Sequence, residues 1–513
     1  MKGGVIFVLL VALYIIKRRR RWHPPNVPLP PGPRSFPLLG AALSIDASKP
    51  WFTYFVWRKS FGDLIYTRIF HMDVLIINSV KVARDLLDHR SNIYSDRPRF
   101  ATTEPYGIAD GTILLPYGDT WRLHRRIYHQ ALNSEAAAKY RPMQCAKARQ
   151  LIVNLAEDPR HYSAHLHTYS TSIIMSIVYG YDTAPTNDPY VEYAEQGVKA
   201  ISKATDPKGA ALLAMFPFLL KLPTWMPGSF KAEAALAMYY ATGFRKVLFG
   251  MALERIATGV GTPSMISDAV KKNEINGNLS EVTLAIRNTS AVAYGGRYLW
   301  RIYCSTLAHT SMQLRRKHLN VFVLAMVLFP EAQKRAQKEI DTVVGSDRLP
   351  NFSDRPSLPF VEAVLRETFR WYPAAPLALP RATTNEDVYE GSYIPKGPGI
   401  GHDEQTYPEP FKFNPERFIK EDGTLTEEDF PFGFGFGRRI CPGRHVADAS
   451  MWIAIASMLA TLDFLKAKDD HGNEIDFSPE FISGPTSRPK PFPCRIVPRM
   501  SPSTINGLTM QDI

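Results

Sequence analysis

The stretch PFGFGFGRRICPG, residues 431–443, gathers one sulfur, four glycines, three phenylalanines and two arginines. A loop built on Gly433, Gly435, Gly437 and Gly443 can adopt positive φ and bring its backbone against a flat ligand. Cys441 precedes Pro442, which has no amide to donate, and a long apolar run begins at about Arg444. The sulfur therefore sits just before a helix N-terminus, where orphan amides and the helix dipole favour a thiolate. Arg438 and Arg439 add positive charge. A thiolate among backbone donors and an aromatic ring is suited to hold a ferric ion at one axial position. Blander chemistries compete. A lone cysteine is often a small buried hydrophobe. A zinc site needs three more ligands, and only His445 is near, with no CxxC or HxxxH pair to join it. A catalytic thiol needs a positioned histidine, which sequence order does not display.

The elements that must present this loop are mostly helical. KVARDLLDHRSNIY (81–94), AAKYRPMQCAKARQLIVNLAED (137–158) and PEAQKRAQKEIDTVVG (330–345) repeat apolar residues at spacings of three and four. DLIYTRIF (63–70) and DVLIINS (73–79) read as a β-hairpin. The region 373–435 is rich in Pro, Gly and turn residues, and 444–465 reads as a helix buried on most faces. There is no internal repeat and no linker after residue 37. The reading is one large, mainly α domain with small β-sheets over 38–500, and a tail at 501–513.

Composition narrows the class. At 513 residues and 45% hydrophobic content a sizeable core is available, so global disorder is excluded. Four cysteines, at 145, 304, 441 and 494, are too few for a disulfide framework in so long a chain and fit a reducing compartment. The net charge of +12 has no predicted face that interleaves basic and aromatic residues, which argues against a nucleic-acid binder.

Gly3 to Ile16 is an unbroken apolar run closed by KRRRRW, and 1–22 reads as an N-terminal membrane anchor. It is shorter than the ~20 residues of a comfortable span. A signal peptide would carry its charge before the run, whereas here five cations follow it. The positive-inside rule keeps those cations, and the body behind them, cytoplasmic. PPNVPLPPGPRSFP, within 23–37, is a stiff proline-rich hinge between anchor and body.

Residues 434–443 resemble the haem-binding signature of the cytochrome P450 family, F-x-x-G-x-R-x-C-x-G: Phe434, Gly437, Arg439, Cys441 and Gly443 fill every fixed position. Glu367 and Arg370 in LRETFRWYP resemble the family's ExxR pair, and NPERF supplies Arg417. The resemblance implies that these three form a buried ion network behind the haem loop. Trp121 and Arg125 in GDTWRLHRR resemble the family's WxxxR helix, whose side chains reach a haem propionate. Arg381 in ALPRATT and Arg439 are similar to further propionate partners, and Phe434 to the ring over the proximal sulfur. Segments such as IYSDRPR and VLAMVLFPEAQKRAQKEID are most similar to fungal members, particularly those of mushroom-forming fungi.

The resemblance implies a single large P450 domain behind the anchor, a haem b (iron protoporphyrin IX) held by Cys441, and electrons from NADPH through a cytochrome P450 reductase. It implies insertion of one oxygen atom from dioxygen into a lipophilic small molecule, such as a terpenoid or a xenobiotic, at the endoplasmic reticulum membrane. The pocket is expected from 98–115, 285–296, Pro376–Leu379 and Ser483–Thr486.

Two segments depart from the family. The oxygen-handling helix should carry an acid followed by threonine. Counting forward from Gly295–Gly296 those slots hold Tyr298 and Leu299; counting back from Pro330 they hold Gln313 and Leu314. Residues 297–318 are dense in Arg and His and read as a surplus, of the kind an intron retained in the coding sequence leaves. AHTS (308–311) is the functional alternative, with Thr310 standing in for the threonine. After YIPKG, 397–402 is shorter than the family's strand there. A haem-thiolate isomerase or dehydratase, or an impaired haem-binding remnant, are the competing functions.

Overall fold

The structure is a computed structural model. It describes residues 27–36, 39–46, 49–70, 72–185, 187–203, 212–213, 216–226, 229–274, 279–295, 311–373, 377, 379–395, 398–401, 409, 411–427, 431–482, 488–501, 503–505 and 507. The 1–22 anchor and Thr310 lie outside these residues, as do most of 297–318 and residues 397 and 402. Among the described residues no helix is long and apolar enough to cross a membrane. The sequence reading treats 38–500 as one body; the contacts divide the chain into two compact units, one of 1–46, 51–96 and 380–403, the other of 47–50, 97–379 and 404–513.

The first unit is built on a small sheet. Helix α1 (Pro50–Phe61) leads into strands β1 (Leu64–Ile69) and β2 (Met72–Ile77). These pair antiparallel with Leu64 opposite Ile77. In β1 the period-two pattern buries Ile65 and Thr67; in β2 Val74 to Ile77 are all buried. A short helix α2 (Val80–Arg84) follows, then β3 (Arg381–Ala382), the hairpin β4 (Asp387–Tyr389) and β5 (Ser392–Ile394), and β6 (Pro398–Gly401). The main sheet has the order β1-β2-β6-β3, with β2 and β6 parallel.

Prolines keep 27–36 extended, and this part of the hinge is bound rather than a free spacer. The Pro31 carbonyl accepts the Tyr66 amide at 3.0 Å and the Pro28 carbonyl accepts the Tyr393 amide at 2.7 Å. The fit is close at one residue. A Cβ on Gly32 would lie 1.8 Å from the Tyr66 carbonyl oxygen.

The second unit is helical. In chain order it contains α3 (Asp119–Leu132), α4 (Ser134–Ala138), α5 (Arg141–Glu157), α6 (Tyr162–Tyr179) and α7 (Pro189–Lys203). Next come α8 (Lys231–Ala257), α9 (Met265–Glu274), α10 (Leu279–Gly295) and α11 (Ser311–Leu328). The series closes with α12 (Pro330–Val343), α13 (Pro359–Trp371) and α14 (Arg444–Thr461). Two small antiparallel ladders accompany them: β7 (Leu462–Lys466) with β10 (Cys494–Pro498), and β8 (Phe481–Ile482) with β9 (Arg488–Pro489).

The centre of this unit is α14, where every residue from Ala449 to Thr461 is buried. A helix apolar on all faces is stable only when neighbours surround it, and α14 packs on α5, α12 and α13. Two ionic devices fix α13, the helix that carries Glu367. The Glu339 carboxylate of α12 accepts the Phe360 and Val361 amides at 2.9 Å each, satisfying orphan donors at the positive end of α13. Burial raises the Glu339 carboxyl above its ordinary range, and these two amides work against that rise. Arg355 reaches Glu362 of α13 at 2.9 Å and Asp448 of α14 at 2.6 Å, tying the two helices together.

Gly32→Ala should therefore lower stability by roughly 1–3 kcal/mol, the range for overpacking. Gly118→Ala, where a Cβ meets nothing within 4 Å, is the control. Thermal unfolding of the pair should separate them; equal midpoints would refute the steric account.

Candidate functional site

Cys441 ends a loop that closes on itself: its amide donates to the Phe434 carbonyl at 2.8 Å. Gly435 and Gly437 adopt φ of +80 and +53, values that favour glycine. Gly443 does not share that role. Its φ is −89, and it is the N-cap of α14, so two of the four loop glycines make the turn by positive φ rather than all. The Phe434 ring lies edge-on to Phe369 of α13 at 5.6 Å. Cys441 thus stands immediately before α14, on a frame supplied by α13.

Arginines hold the loop through backbone oxygens. Arg125 of α3 donates to the Ile440 carbonyl at 2.5 Å. Arg439 reaches away from the loop to the Thr112 and Leu115 carbonyls, at 3.3 and 2.8 Å, and its guanidinium lies 4.5 Å from the centroid of the buried Trp121 ring. Arg438 contacts Tyr117 through the hydroxyl and the ring face, and Tyr117 packs on Trp121 with centroids 5.2 Å apart. Burial pulls Arg125 below its ordinary pKa while the neighbouring Cys441 opposes that shift. Among the described residues Arg125 forms no ion pair with a carboxylate.

Behind the loop, the Glu367 carboxylate is completely buried. Arg370, one turn further along α13, binds it from Nε at 2.6 Å and Nη2 at 2.9 Å. Arg417 approaches with Nε at 3.2 Å, and the Asn414 amide donates at 2.7 Å. Both guanidiniums also donate to the Lys412 carbonyl, at 3.3 and 3.4 Å. Glu367, Arg370 and Arg417 are thus one network.

A thiol at the head of a buried helix, backed by a Glu–Arg–Arg network in a mostly helical fold, defines a class, and the comparisons give it a family. The chain belongs to the cytochrome P450 family, whose model matches residues 30–246 and 318–491. It is similar to cytochrome P450 monooxygenase 98 of Postia placenta, 35% identical over 96% of this chain and 94% of the relative. It is also similar to cytochrome P450 monooxygenase ple1 of Rhodocybe pseudopiperita, 36% identical over 95% of this chain and 92% of the relative, and to cytochrome P450 monooxygenase COX1 of Coprinopsis cinerea, 35% identical over 94% and 95%. The protein is an oxidoreductase of the monooxygenase type, and its family implies haem.

The residues present fit that group. Cys441 supplies one soft donor for iron. Arg125 supplies a half-buried cation that, among the described residues, pairs with no carboxylate, which suits a macrocycle bearing two carboxylates. A Cβ on Gly443 would meet no protein atom within 4 Å, so the protein leaves open space beside Cys441. Arg381 is buried in the first unit on β3, where it lines a small cavity with Tyr66, Tyr94 and Thr383. Of the expected pocket segments, Tyr106, Ile108 and Leu114 share one apolar cluster with Ile286, Val292 and Tyr294. Pro376 and Ser483–Thr486 lie outside the described residues.

The sequence reading missed the turn that Arg439 grips. Arg97 donates to the Ile113 carbonyl at 2.9 Å and the Leu379 carbonyl at 3.1 Å. The Thr112 hydroxyl lies 2.8 Å from His124 Nδ1 of α3. Burial drives the His124 pKa from its usual 6.5 down to about 4. The charge in YSDRPR and the His in WRLHRR are visible in the sequence, but carbonyl acceptors leave no residue-type signature.

Two outcomes follow. Arg417→Met leaves Glu367 with a single guanidinium, and the loss should be roughly 3 kcal/mol, read as a lower thermal midpoint; an unchanged midpoint refutes the network's role. His124 is neutral in the fold, and the unfolded chain binds its proton more readily. Its contribution is complete above about pH 6.5 and is lost as pH falls towards 4, reaching roughly 3 kcal/mol. His124→Gln should flatten that part of the stability–pH curve; an unaltered slope refutes the assignment.

Proposed function

We propose that this chain is a membrane-anchored haem-thiolate monooxygenase of fungal secondary metabolism or xenobiotic oxidation, acting on lipophilic small molecules. The observation that carries the reading is the Cys441 loop, closed on the Phe434 carbonyl at the head of α14 and gripped by Arg125. When bound, the haem supplies dioxygen activation and the oxidation of an unactivated C–H bond. The net change is R–H plus O2, two electrons and two protons to R–OH and water, with NADPH as electron source through a cytochrome P450 reductase.

The chain's own residues have four tasks. Cys441 presents its sulfur to iron from one side. Arg125, Arg439 and Trp121 of the second unit would hold the propionates. Tyr106, Ile108, Leu114, Ile286 and Val292 are buried in one apolar cluster, and a pocket bordered by such residues would favour an apolar substrate and exclude water. The apolar run before KRRRR holds the body at the cytoplasmic face of the endoplasmic reticulum membrane, where such substrates and the reductase concentrate.

Residues 297–318 read as a surplus of the kind a retained intron leaves, and Thr310 in AHTS (308–311) is the functional alternative for proton handling, in place of the family's threonine. A second reading has a specific observation behind it. The family match breaks over 247–317, a stretch that holds most of 297–318; on this reading the haem is retained while oxygen activation is lost or replaced by isomerase or dehydratase chemistry.

Reduced protein with carbon monoxide should give the Soret band of thiolate-ligated haem, and Cys441→Ala should abolish it. Survival of the band in that variant rejects the ligand assignment. NADPH-dependent product formation with a reductase separates the two readings. An mRNA that encodes 297–318 in full disposes of the retained-intron explanation.

A further inference from the structure

The C-terminal end of the aberrant segment is packed, not displaced. In α11, Lys317, His318 and Leu319 are buried, and the run continues buried from Val321 to Val327. An imidazole in such a helix costs stability unless neighbours compensate for its lost water. His318 meets an aromatic partner: its ring stands edge-on to Phe369, with centroids 4.8 Å apart and planes at 73°. Phe369 lies between Glu367 and Arg370 on α13, and its ring meets Phe434 edge-on at 5.6 Å and 65°. The Phe434 carbonyl in turn holds the Cys441 amide at 2.8 Å. Three rings and one hydrogen bond therefore connect α11 to the thiol loop.

Edge-to-face pairs fix ring orientation as well as proximity. Phe369 has both Phe434 and His318 as edge-on ring neighbours, so removing the imidazole removes one of these two pairs. The Phe434 ring and its carbonyl belong to the same residue, and movement of the ring is felt at the amide of Cys441. Ligand strength at a thiolate responds to hydrogen bonding and packing around the sulfur.

We propose that His318 is a positioning residue for the Cys441 loop, acting through Phe369 and Phe434 to hold the sulfur in its ligating pose. The inference rests on the haem-thiolate reading of Cys441. It also makes residue 318 a working part of the fold, whatever the origin of the residues before it.

The test uses the full chain loaded with haem, reduced and treated with carbon monoxide. Its readouts are the rate at which the thiolate-type Soret band decays to the thiol type at fixed temperature, and the haem reduction potential. His318→Ala should speed the decay roughly threefold to tenfold, the range set by the loss of one aromatic pair, and should shift the potential. His318→Phe restores a ring and should return both readouts to wild-type values. Leu319→Ala, equally buried on the same helix, should lower the thermal midpoint and leave both unchanged. If His318→Ala decays at the wild-type rate, or if Leu319→Ala matches it, the inference is overturned alone. If the wild-type chain shows no thiolate band, the haem-thiolate reading falls and takes this inference with it.

Discussion

A carboxylate with no solvent exposure, Glu367, is the constraint around which the second unit is arranged. Taking that charge out of water costs several kcal/mol, and the cost is offset only if partners arrive in good geometry. Arg370 arrives from the same helix, and Arg417 and the Asn414 amide arrive from the short 3-10 helix Pro415–Phe418 and its N-cap. The network therefore determines where the 411–417 stretch lies against α13. Because Phe369 sits inside the Glu367–Arg370 interval, the same constraint reaches Phe434 and the thiol loop.

The loops around the site have little secondary structure of their own, and guanidinium groups take its place. Arg97, Arg125 and Arg439 together occupy the carbonyls of Thr112, Ile113, Leu115, Leu379 and Ile440. A planar fork with five donors can bridge segments that no ladder joins. The arrangement brings positive charge into a region where, among the described residues, no carboxylate pairs with Arg125. Structure and charge balance here serve one end: a loop held firmly while its cations stay available to an acidic ligand.

Much of this was legible in the sequence. The 3.6-residue periodicity marked the helices on either side of the site, the short β-like runs at 63–70 and 73–79 marked the β1–β2 hairpin, and the 431–443 spacing marked the thiol loop. Those signals survive because each depends on side-chain type at fixed intervals. What was not legible depends on backbone atoms or on distant packing. The proline segment reads as a spacer, since nothing in its own residues reveals that Pro28 and Pro31 offer carbonyls to Tyr393 and Tyr66. His318 reads as part of a surplus, since its partner Phe369 lies far along the chain and on another helix. Thr112 and Arg97 escape notice for the same reason.

The closed loop from Phe434 to Cys441 also explains the grammar of its own signature. Five letters of F-x-x-G-x-R-x-C-x-G are fixed and five are open, and the contacts sort them. Phe434 lends both a ring and a carbonyl, Gly437 a left-handed turn, Arg439 a grip on a distant backbone, and Cys441 its sulfur. Gly443 borders space that no protein atom fills. The clasp itself is made between the main-chain atoms of Phe434 and Cys441, so the open letters are free of that duty.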